Sequence, residues 1–208
     1  MVSATTPEVV TIGRVSVDLY AREPGAGYAD PQTFEKSIGG SPTNVAVAAA
    51  RHGHRAAVIT KVGADPFGRY VLDKLRGFGV DTSLVGVHPT FPTPLAFAAM
   101  TPPEDPVIMF RREPDAPDMN ISPDDVDVDV VRAVPIFWVS ASTLCRDPIA
   151  TTTRNLLAAR GRKRHTILDL DYRPQFWSSP EAARAAVGAA VESCTIAIGN
   201  RRSEEHTS

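Results

Sequence analysis

The sequence predicts an α/β fold in which a mostly parallel, doubly wound sheet carries a small antiparallel β lid. Short apolar runs alternate with helical patterns, as in parallel sheets connected by helices, at 9–13, 56–60, 135–140, 166–170 and 195–200. Other strand-like runs follow one another without a helix between them, at 83–87, 94–100 and 106–111. Together with the run at 33–37, they predict a separate small sheet above the first.

The composition is that of an ordinary globular domain. Of 208 residues, 43% are apolar and 22% charged, and the net charge of −2 lacks the basic excess of nucleic-acid-binding proteins. Cys145 and Cys194 lie far apart without zinc-site spacing and are predicted to be small core residues. The first residues do not resemble a signal peptide, and no apolar run could span a membrane, so we expect a cytoplasmic protein.

The first apolar run, 9–13, predicts a buried strand, and Asp18 follows near its carboxyl end. Ligands of open α/β sheets bind outside the carboxyl ends of the strands. A carboxylate at that edge can accept hydrogen bonds from the hydroxyl groups of a ligand. Asp18 is therefore a candidate binding residue, and a helix or turn cap is its alternative role.

A diglycine loop leads into the next helix. Gly39 and Gly40 let main-chain N–H groups approach a ligand closely, and an Ala-rich helix follows over 41–51. Ser41 is predicted to cap this helix, and Asn44 adds a polar group to its first turn. The positive end of a helix favours anionic or polyhydroxy ligands. An ordinary loop-to-helix junction is the alternative.

Two arginines close the last lid strand. Alternation along a strand places Arg111 and Arg112 on opposite faces. We expect Arg111 to face the pocket, where its planar guanidinium group suits a carboxylate.

Two further motifs are predicted to be structural. Asp65, followed by proline, is predicted to cap the helix that precedes the lid strands. The acidic stretch 122–129 opens with Ser-Pro-Asp-Asp and predicts the start of a helix rather than a metal site.

A second set of charged residues follows a later strand. Asp169 and Asp171 alternate on one face, and Arg173 continues the alternation if the chain stays extended. This pattern predicts polar groups at the carboxyl edge of the sheet, and a strand-end turn closed by the next proline is the alternative. The Phe-Trp pair at 176–177 is predicted to pack in the core or against the sheet.

These stretches resemble signature motifs of the ribokinase-like (phosphofructokinase-B type) carbohydrate kinases. The matching motifs are Gly-Gly-small-Pro-small-Asn with an Ala-rich helix at 39–51, and Asp-x-Asp-x-Arg at 169–173. The resemblance covers about 9–200 and implies a ribokinase-like fold, with ATP and Mg²⁺ as cofactors and a sugar bound under the lid. The substrate-binding residues that it implies are Asp18, Gly39, Gly40, Asn44 and Arg111.

The same resemblance assigns the phosphate side of the site. It implies that Arg173 contacts the substrate or the transferred phosphate as a catalytic residue, and that Asp171 lies beside the ATP phosphates. Asn200 stands where the family begins an Asn-x-x-Glu motif that organises Mg²⁺, but Ser203 replaces the glutamate. We assign no direct metal ligand.

Within the family, the resemblance is greatest to kinases that phosphorylate the terminal hydroxyl of a keto-sugar acid in inositol breakdown. Kinases of 2-keto-3-deoxygluconate or fructose are alternatives, and so is a non-catalytic sugar-binding module. The Gly-x-Gly-x-x-Gly spacing with its acidic partner, typical of nicotinamide-dependent dehydrogenases, does not occur in the sequence. A homodimer paired through the lid is a further expectation.

The last residues, 202–208, resemble a translated sequencing adapter, and a genuine polar tail is the alternative. We therefore predict a truncated kinase domain over 1–201, with lid strands at about 14–38 and 93–112, and a non-native tail. The Gly-Ala-Gly-Asp loop that carries the family's catalytic aspartate does not occur in the sequence. The resemblance thus implies a missing C-terminal part and an inactive, poorly soluble fragment.

Overall fold

The computed structural model describes residues 6–99, 107–163 and 165–199. The strands are β1 (Val9–Ile12), β2 (Ser16–Ala21), β3 (Phe34–Gly39), β4 (Ala56–Gly63), β5 (Val85–His88), β6 (Leu95–Ala99), β7 (Val107–Arg111), β8 (Ile136–Ser140), β9 (His165–Asp169) and β10 (Ile196–Ile198). The α-helices are α1 (Ser41–Arg51), α2 (Pro66–Gly77), α3 (Val128–Ala133), α4 (Ile149–Arg160) and α5 (Pro180–Val191).

The main sheet is parallel throughout and has the order β10-β9-β8-β1-β4-β5. The chain moves outward from β1 through β4 to β5, and then returns to β8 on the other side of β1. The order therefore reverses between β1 and β8. Open α/β sheets bind their ligands at the carboxyl side of such a reversal.

Helices cover both faces of this sheet, as the doubly wound prediction requires. Val10, Ile12 and Phe137 belong to one buried cluster, which also holds apolar residues of α3, α4 and α5. Val9 and Val58 belong to a second cluster with residues of α1 and α2. Successive strand residues thus enter opposite cores, because side chains alternate along a strand.

The second sheet has the order β3-β2-β6-β7 and forms the predicted lid, but it is mixed rather than antiparallel. β2 runs antiparallel to β3 and parallel to β6, and β6 runs antiparallel to β7. The antiparallel prediction is wrong for the central pair. β2 and β6 each follow a strand of the parallel sheet, β1 and β5, and leave its carboxyl edge in the same direction.

The strand-like run at 83–87 was predicted to join the lid and instead becomes β5, the edge strand of the main sheet. Its register with β4 runs from Thr60–Val85 to Gly63–His88. A four-residue strand carries too few side chains to show which sheet it joins, so only the tertiary structure decides.

The predicted caps have different outcomes. The Asp65 carboxylate accepts a hydrogen bond from the Gly68 N–H at 2.8 Å and caps α2 as predicted. Ser41 does not cap α1, because it is the first helical residue and its hydroxyl donates to Asp169 at 3.1 Å. The acidic stretch forms a 3-10 turn at Pro123–Asp125, and α3 begins only after Asp127.

Asp65 also connects α2 to the lid. Its carboxylate accepts hydrogen bonds from the Thr93 N–H at 2.7 Å and from the Thr93 hydroxyl at 2.9 Å, just before β6 begins. Burial alone would raise the pKa of Asp65, but the hydrogen bonds from Thr93 and Gly68 outweigh burial and hold the pKa below its ordinary value.

We expect Asp65→Ala to lower the free energy of unfolding by about 1.5 kcal/mol at pH 7, because it removes a helix cap and the bonds to Thr93. Urea unfolding measures the loss, and Asp73→Ala, an exposed change on the same helix, is the control. Because the folded-state pKa is depressed, this stabilisation is present above the ordinary Asp pKa of about 3.9 and is lost as the pH falls below it. An equal loss for both variants at pH 7 would contradict this role.

No helix among the described residues has the length and apolar character needed to cross a membrane. Asn200 and the predicted non-native tail at 202–208 lie outside the described residues.

Candidate active site

A cleft of about 200 Å³ lies between the carboxyl edge of the main sheet and the lid. Its walls come from the β1–β2 connection, the start of α1, the lid strands and the segment after β9. The lining residues are Arg14, Ser16, Asp18, Gly40, Ser41, Asn44, Ala96, Ile108, Phe110, Arg112, Asp171 and Arg173. Five of the predicted site residues, distant in sequence, therefore share one pocket: Asp18, Gly40, Asn44, Asp171 and Arg173.

The diglycine loop packs closely against the main chain of Arg14 and the side chain of Asp18. Gly40 has a φ of 103°, and a Cβ atom there would lie 2.2 Å from the carbonyl oxygen of Arg14. Gly39 is buried directly behind Asp18, and a Cβ atom on Gly39 would lie 2.1 Å from the Asp18 carboxylate. Gly39 therefore makes room for the Asp18 side chain, whereas Gly40 and Asn44 line the cleft themselves.

Asp18 presents a carboxylate to the cleft from β2. The Ser16 hydroxyl donates to it at 2.6 Å, which fixes one oxygen. Burial raises the pKa of Asp18, since the charged form loses hydration. Such a carboxylate is a strong acceptor for the hydroxyl groups of a ligand.

The lid arginine that faces the cleft is Arg112, and the prediction of Arg111 is wrong. Arg111 is exposed, whereas Ile108, Phe110 and Arg112 line the cleft. β7 pairs Phe110 with Ala96, which also lines the cleft. This register determines which face of β7 is turned toward the cleft. Alternation predicted that the two arginines point in opposite directions, but the sequence did not determine which one points inward.

A buried carboxylate anchors Arg112. Asp118, which has 0% of its surface exposed, pairs with the Arg112 guanidinium group and accepts a hydrogen bond from the Val15 N–H at 2.8 Å. The sequence analysis assigned no role to Asp118.

Arg14 is a site residue that the sequence analysis missed. It is only 6% exposed, and its guanidinium group donates to Ser142 at 3.0 Å and to Asp171 at 2.8 Å. Burial lowers the pKa of Arg14. Its partners lie more than a hundred residues away in sequence, so a single arginine after Gly13 gave no signal.

Asp169, the last residue of β9, and Asp171, which follows the strand, have different surroundings. Asp171 accepts hydrogen bonds from Arg14 and, at 2.9 Å, from Arg173. Asp169 accepts from the Ser41 hydroxyl and from the Asp171 N–H at 3.2 Å. Burial raises the pKa of Asp169, and the neighbouring negative charge of Asp171 adds to the rise.

The Phe-Trp pair divides between the core and the site. Trp177 packs against the cluster beneath the main sheet, as predicted. Phe176 lies instead against the guanidinium groups of Arg14 and Arg112, whose central carbons are 4.7 Å and 5.6 Å from the ring centroid.

Within the described ranges, no group of three or more His, Cys, Asp or Glu side chains is arranged to hold a metal ion. Mg²⁺ is commonly held by one or two carboxylates together with substrate phosphates, and Asp169 and Asp171 are two carboxylates at this end of β9.

A family model described as "pfkB family carbohydrate kinase" matches residues 6–207. The 5-dehydro-2-deoxygluconokinase of Geobacillus kaustophilus is 33% identical over 198 residues, which are 93% of this chain and 58% of that protein. The crystal structure of a sugar kinase from Pyrococcus horikoshii in complex with ATP matches with a TM-score of 0.82 and 26% identity, over 91% of this chain and 62% of that one.

A putative ribokinase II from E. coli, solved in complex with ATP and Mg²⁺, has a TM-score of 0.84 and 22% identity, over 97% of this chain and 65% of that one, and shows the shared fold. The chain thus spans less than two thirds of the length of these proteins. The match over nearly the whole chain agrees with the parallel sheet, the lid and the cleft between them: the chain belongs to the pfkB family of carbohydrate kinases.

Proposed function

We propose that the protein containing this chain transfers the γ-phosphoryl group of ATP to the terminal hydroxyl of a keto-sugar acid, 5-dehydro-2-deoxygluconate. One observation supports this most: the cleft holds a hydroxyl acceptor, Asp18, together with a lid arginine, Arg112, that is suited to a carboxylate. The name of the Geobacillus kaustophilus relative supports the choice of this sugar acid.

The sugar would lie against the start of α1. Asp18 accepts hydrogen bonds from its hydroxyl groups, and Asn44 can both donate and accept. Arg112 receives the carboxylate from the lid side. Arg112 is already paired with Asp118 through one nitrogen, which leaves its remaining donors for the carboxylate of the substrate.

The residues after β9 fit the phosphate end of ATP. Arg173 is half exposed at the cleft and is held by Asp171, so it can contact the transferred phosphate. The positive end of α1, beside Gly40, also favours negative charge. ATP supplies the phosphoryl group and Mg²⁺ neutralises its charge, and Asp171 and Asn200 are the residues proposed to lie near them.

The catalytic base is proposed to lie outside these 208 residues. The family's Gly-Ala-Gly-Asp loop, which would supply the base and an anion hole, does not occur in the sequence. Phosphoryl transfer depends on positioning and charge stabilisation, so we expect little kinase activity from this chain alone. We propose that residues 1–201 are part of one kinase domain, that the protein is cytoplasmic, and that two copies can pair through the lid.

A panel of sugars tests the proposal with the full-length protein, ATP and Mg²⁺. We expect kcat/KM for 5-dehydro-2-deoxygluconate to exceed that for fructose by about 100-fold, because a charge-assisted pair contributes about 2–3 kcal/mol. Arg112→Gln should remove most of this preference. Arg111→Gln, at the neighbouring exposed arginine that does not line the cleft, is the matched control and should retain it.

The panel should also include 2-keto-3-deoxygluconate, which carries a carboxylate on the same length of carbon chain. Efficient fructose phosphorylation without activity on either sugar acid would refute the proposal. A preference for 2-keto-3-deoxygluconate would keep the sugar-acid class and correct the substrate.

A further inference from the structure

The ring of Phe176 contacts two arginines of the cleft wall, Arg14 and Arg112. The guanidinium carbons of Arg14 and Arg112 lie 4.7 Å and 5.6 Å from its centroid, within the range of a cation–π interaction. Phe110 supports the ring from the lid, with the two centroids 6.1 Å apart and a tilted geometry. Phe176 thus joins the segment after β9 to the lid through aromatic and cationic contacts.

We propose that Phe176 is a specificity-determining positioning residue, which keeps Arg112 turned toward the cleft so that the carboxylate of the substrate is bound. This inference rests on the proposed sugar-acid kinase function. Phe176 does not itself need to touch the substrate, since it acts by restricting the guanidinium group of Arg112.

A second cavity explains why Arg112 needs this restriction. It has a volume of about 390 Å³ and shares Phe110 and Arg112 with the cleft, while Phe176 forms part of its wall. Glu113 and Asp115 line it. Asp115 is already paired with Arg146, so Glu113 is the carboxylate that a displaced guanidinium group would meet. Without the ring, the guanidinium group has the space to rotate about its contact with Asp118 and to turn its other nitrogens away from the cleft.

The two arginines depend on the ring to different degrees. Arg14 donates to Ser142 and to Asp171 and is thus held at two nitrogens. Arg112 is anchored by Asp118 at one nitrogen, and the ring of Phe176 restricts the plane of its guanidinium group. Removal of the ring should therefore affect Arg112, and hence carboxylate recognition, more than the rest of the site.

Binding of two ligands to the full-length protein tests the proposal by titration calorimetry. The ligands are 5-dehydro-2-deoxygluconate and the neutral keto sugar in which a hydroxymethyl group replaces its carboxylate. For Phe176→Leu, we expect the Kd of the acid to rise by about 5–30-fold, as a lost cation–π contact would produce, and the Kd of the neutral sugar to change by less than about twofold. Phe176→Tyr retains the ring and should retain the preference for the acid.

A double-mutant cycle with Arg112→Gln shows whether the effect passes through Arg112. In the Arg112→Gln background, Phe176→Leu should not change the ratio of the two dissociation constants further. Phe176→Met, which also lacks a ring, replaces the leucine variant if thermal unfolding shows that the latter does not fold.

The outcomes separate the two hypotheses. If the wild-type protein binds the acid no better than the neutral sugar, the sugar-acid function itself fails. If the wild type prefers the acid and the variants without a ring keep that preference, or lose affinity equally for both ligands, the function stands and the role of Phe176 is refuted.

Discussion

Replacement of Gly40 by alanine is expected to lower the free energy of unfolding by about 3 kcal/mol or more and to abolish sugar binding. Two costs combine at this position. A φ of 103° is strained for any residue with a Cβ atom, and that atom would lie 2.2 Å from the Arg14 carbonyl oxygen. Gly40 and the following Ser41 both line the cleft, so relief of the clash must distort the site.

Matched glycines separate these two costs. Gly53 has a φ of 86°, but a Cβ atom there would project into open space, so Gly53→Ala should cost only the strain of about 1–2 kcal/mol. Gly39→Ala introduces a clash with the Asp18 carboxylate without a positive φ, and should weaken sugar binding more than stability. Urea unfolding and sugar titration measure both quantities. Equal stability of the Gly40 and Gly53 variants would contradict the steric explanation.

The alternation of strands and helices was sufficient to predict the fold class, because each apolar run and each cap is a local signal. Asp65 illustrates this. An aspartate just before a helical pattern is recognisable in the sequence as a helix cap, and its carboxylate accepts from the Gly68 N–H three residues later. β5 and the β2–β6 pair were misassigned because strand partners and directions are properties of the tertiary structure. The residues of a short strand do not indicate which sheet the strand joins.

The site was predictable where residues form motifs and not where it depends on distant pairs. Asp18, Asn44 and Arg173 belong to stretches with recognisable patterns, and they meet in one cleft. Arg14 has no such pattern, because its partners Ser142 and Asp171 lie far away in the chain. Asp118 pairs with the nearby Arg112, but only the fold brings it to the Val15 N–H. The choice between the two lid arginines required the register of β7, which alternation alone leaves undetermined.

Replacement of Asp18 by asparagine is expected to weaken sugar binding by about 100-fold, since hydrogen bonds to a charged acceptor contribute about 1.5–3 kcal/mol. The same change should stabilise the protein. Burial of the Asp18 carboxylate raises its pKa, so its ionised form at pH 7 is unfavourable in the folded state. We expect a rise in Tm of about 2–4 °C, which corresponds to about 1 kcal/mol in a domain of this size.

The direction of the Asp18 pKa shift determines how stability and sugar binding change with pH. Because the folded-state pKa of Asp18 is raised, its contribution to stability is fully present below the ordinary Asp pKa of about 3.9 and is lost as the pH rises through the folded-state pKa. The stability gain of Asp18→Asn should therefore appear at pH 7 and disappear near pH 4. Sugar binding by the wild type should weaken over the same interval as the pH falls, because a protonated carboxyl group loses its strength as an acceptor.

Thermal unfolding and sugar titration at pH 7 and pH 4 test both effects on the same preparations. Asp73→Asn, on the exposed face of α2, is the matched control and should change neither quantity appreciably. Undiminished sugar affinity in Asp18→Asn would remove Asp18 from the binding site. A fall in Tm at pH 7 would show that the ionised carboxylate stabilises the fold, most directly through its bond from Ser16. A gain in stability together with a loss of binding is the result expected of a carboxylate that the fold retains for its ligand.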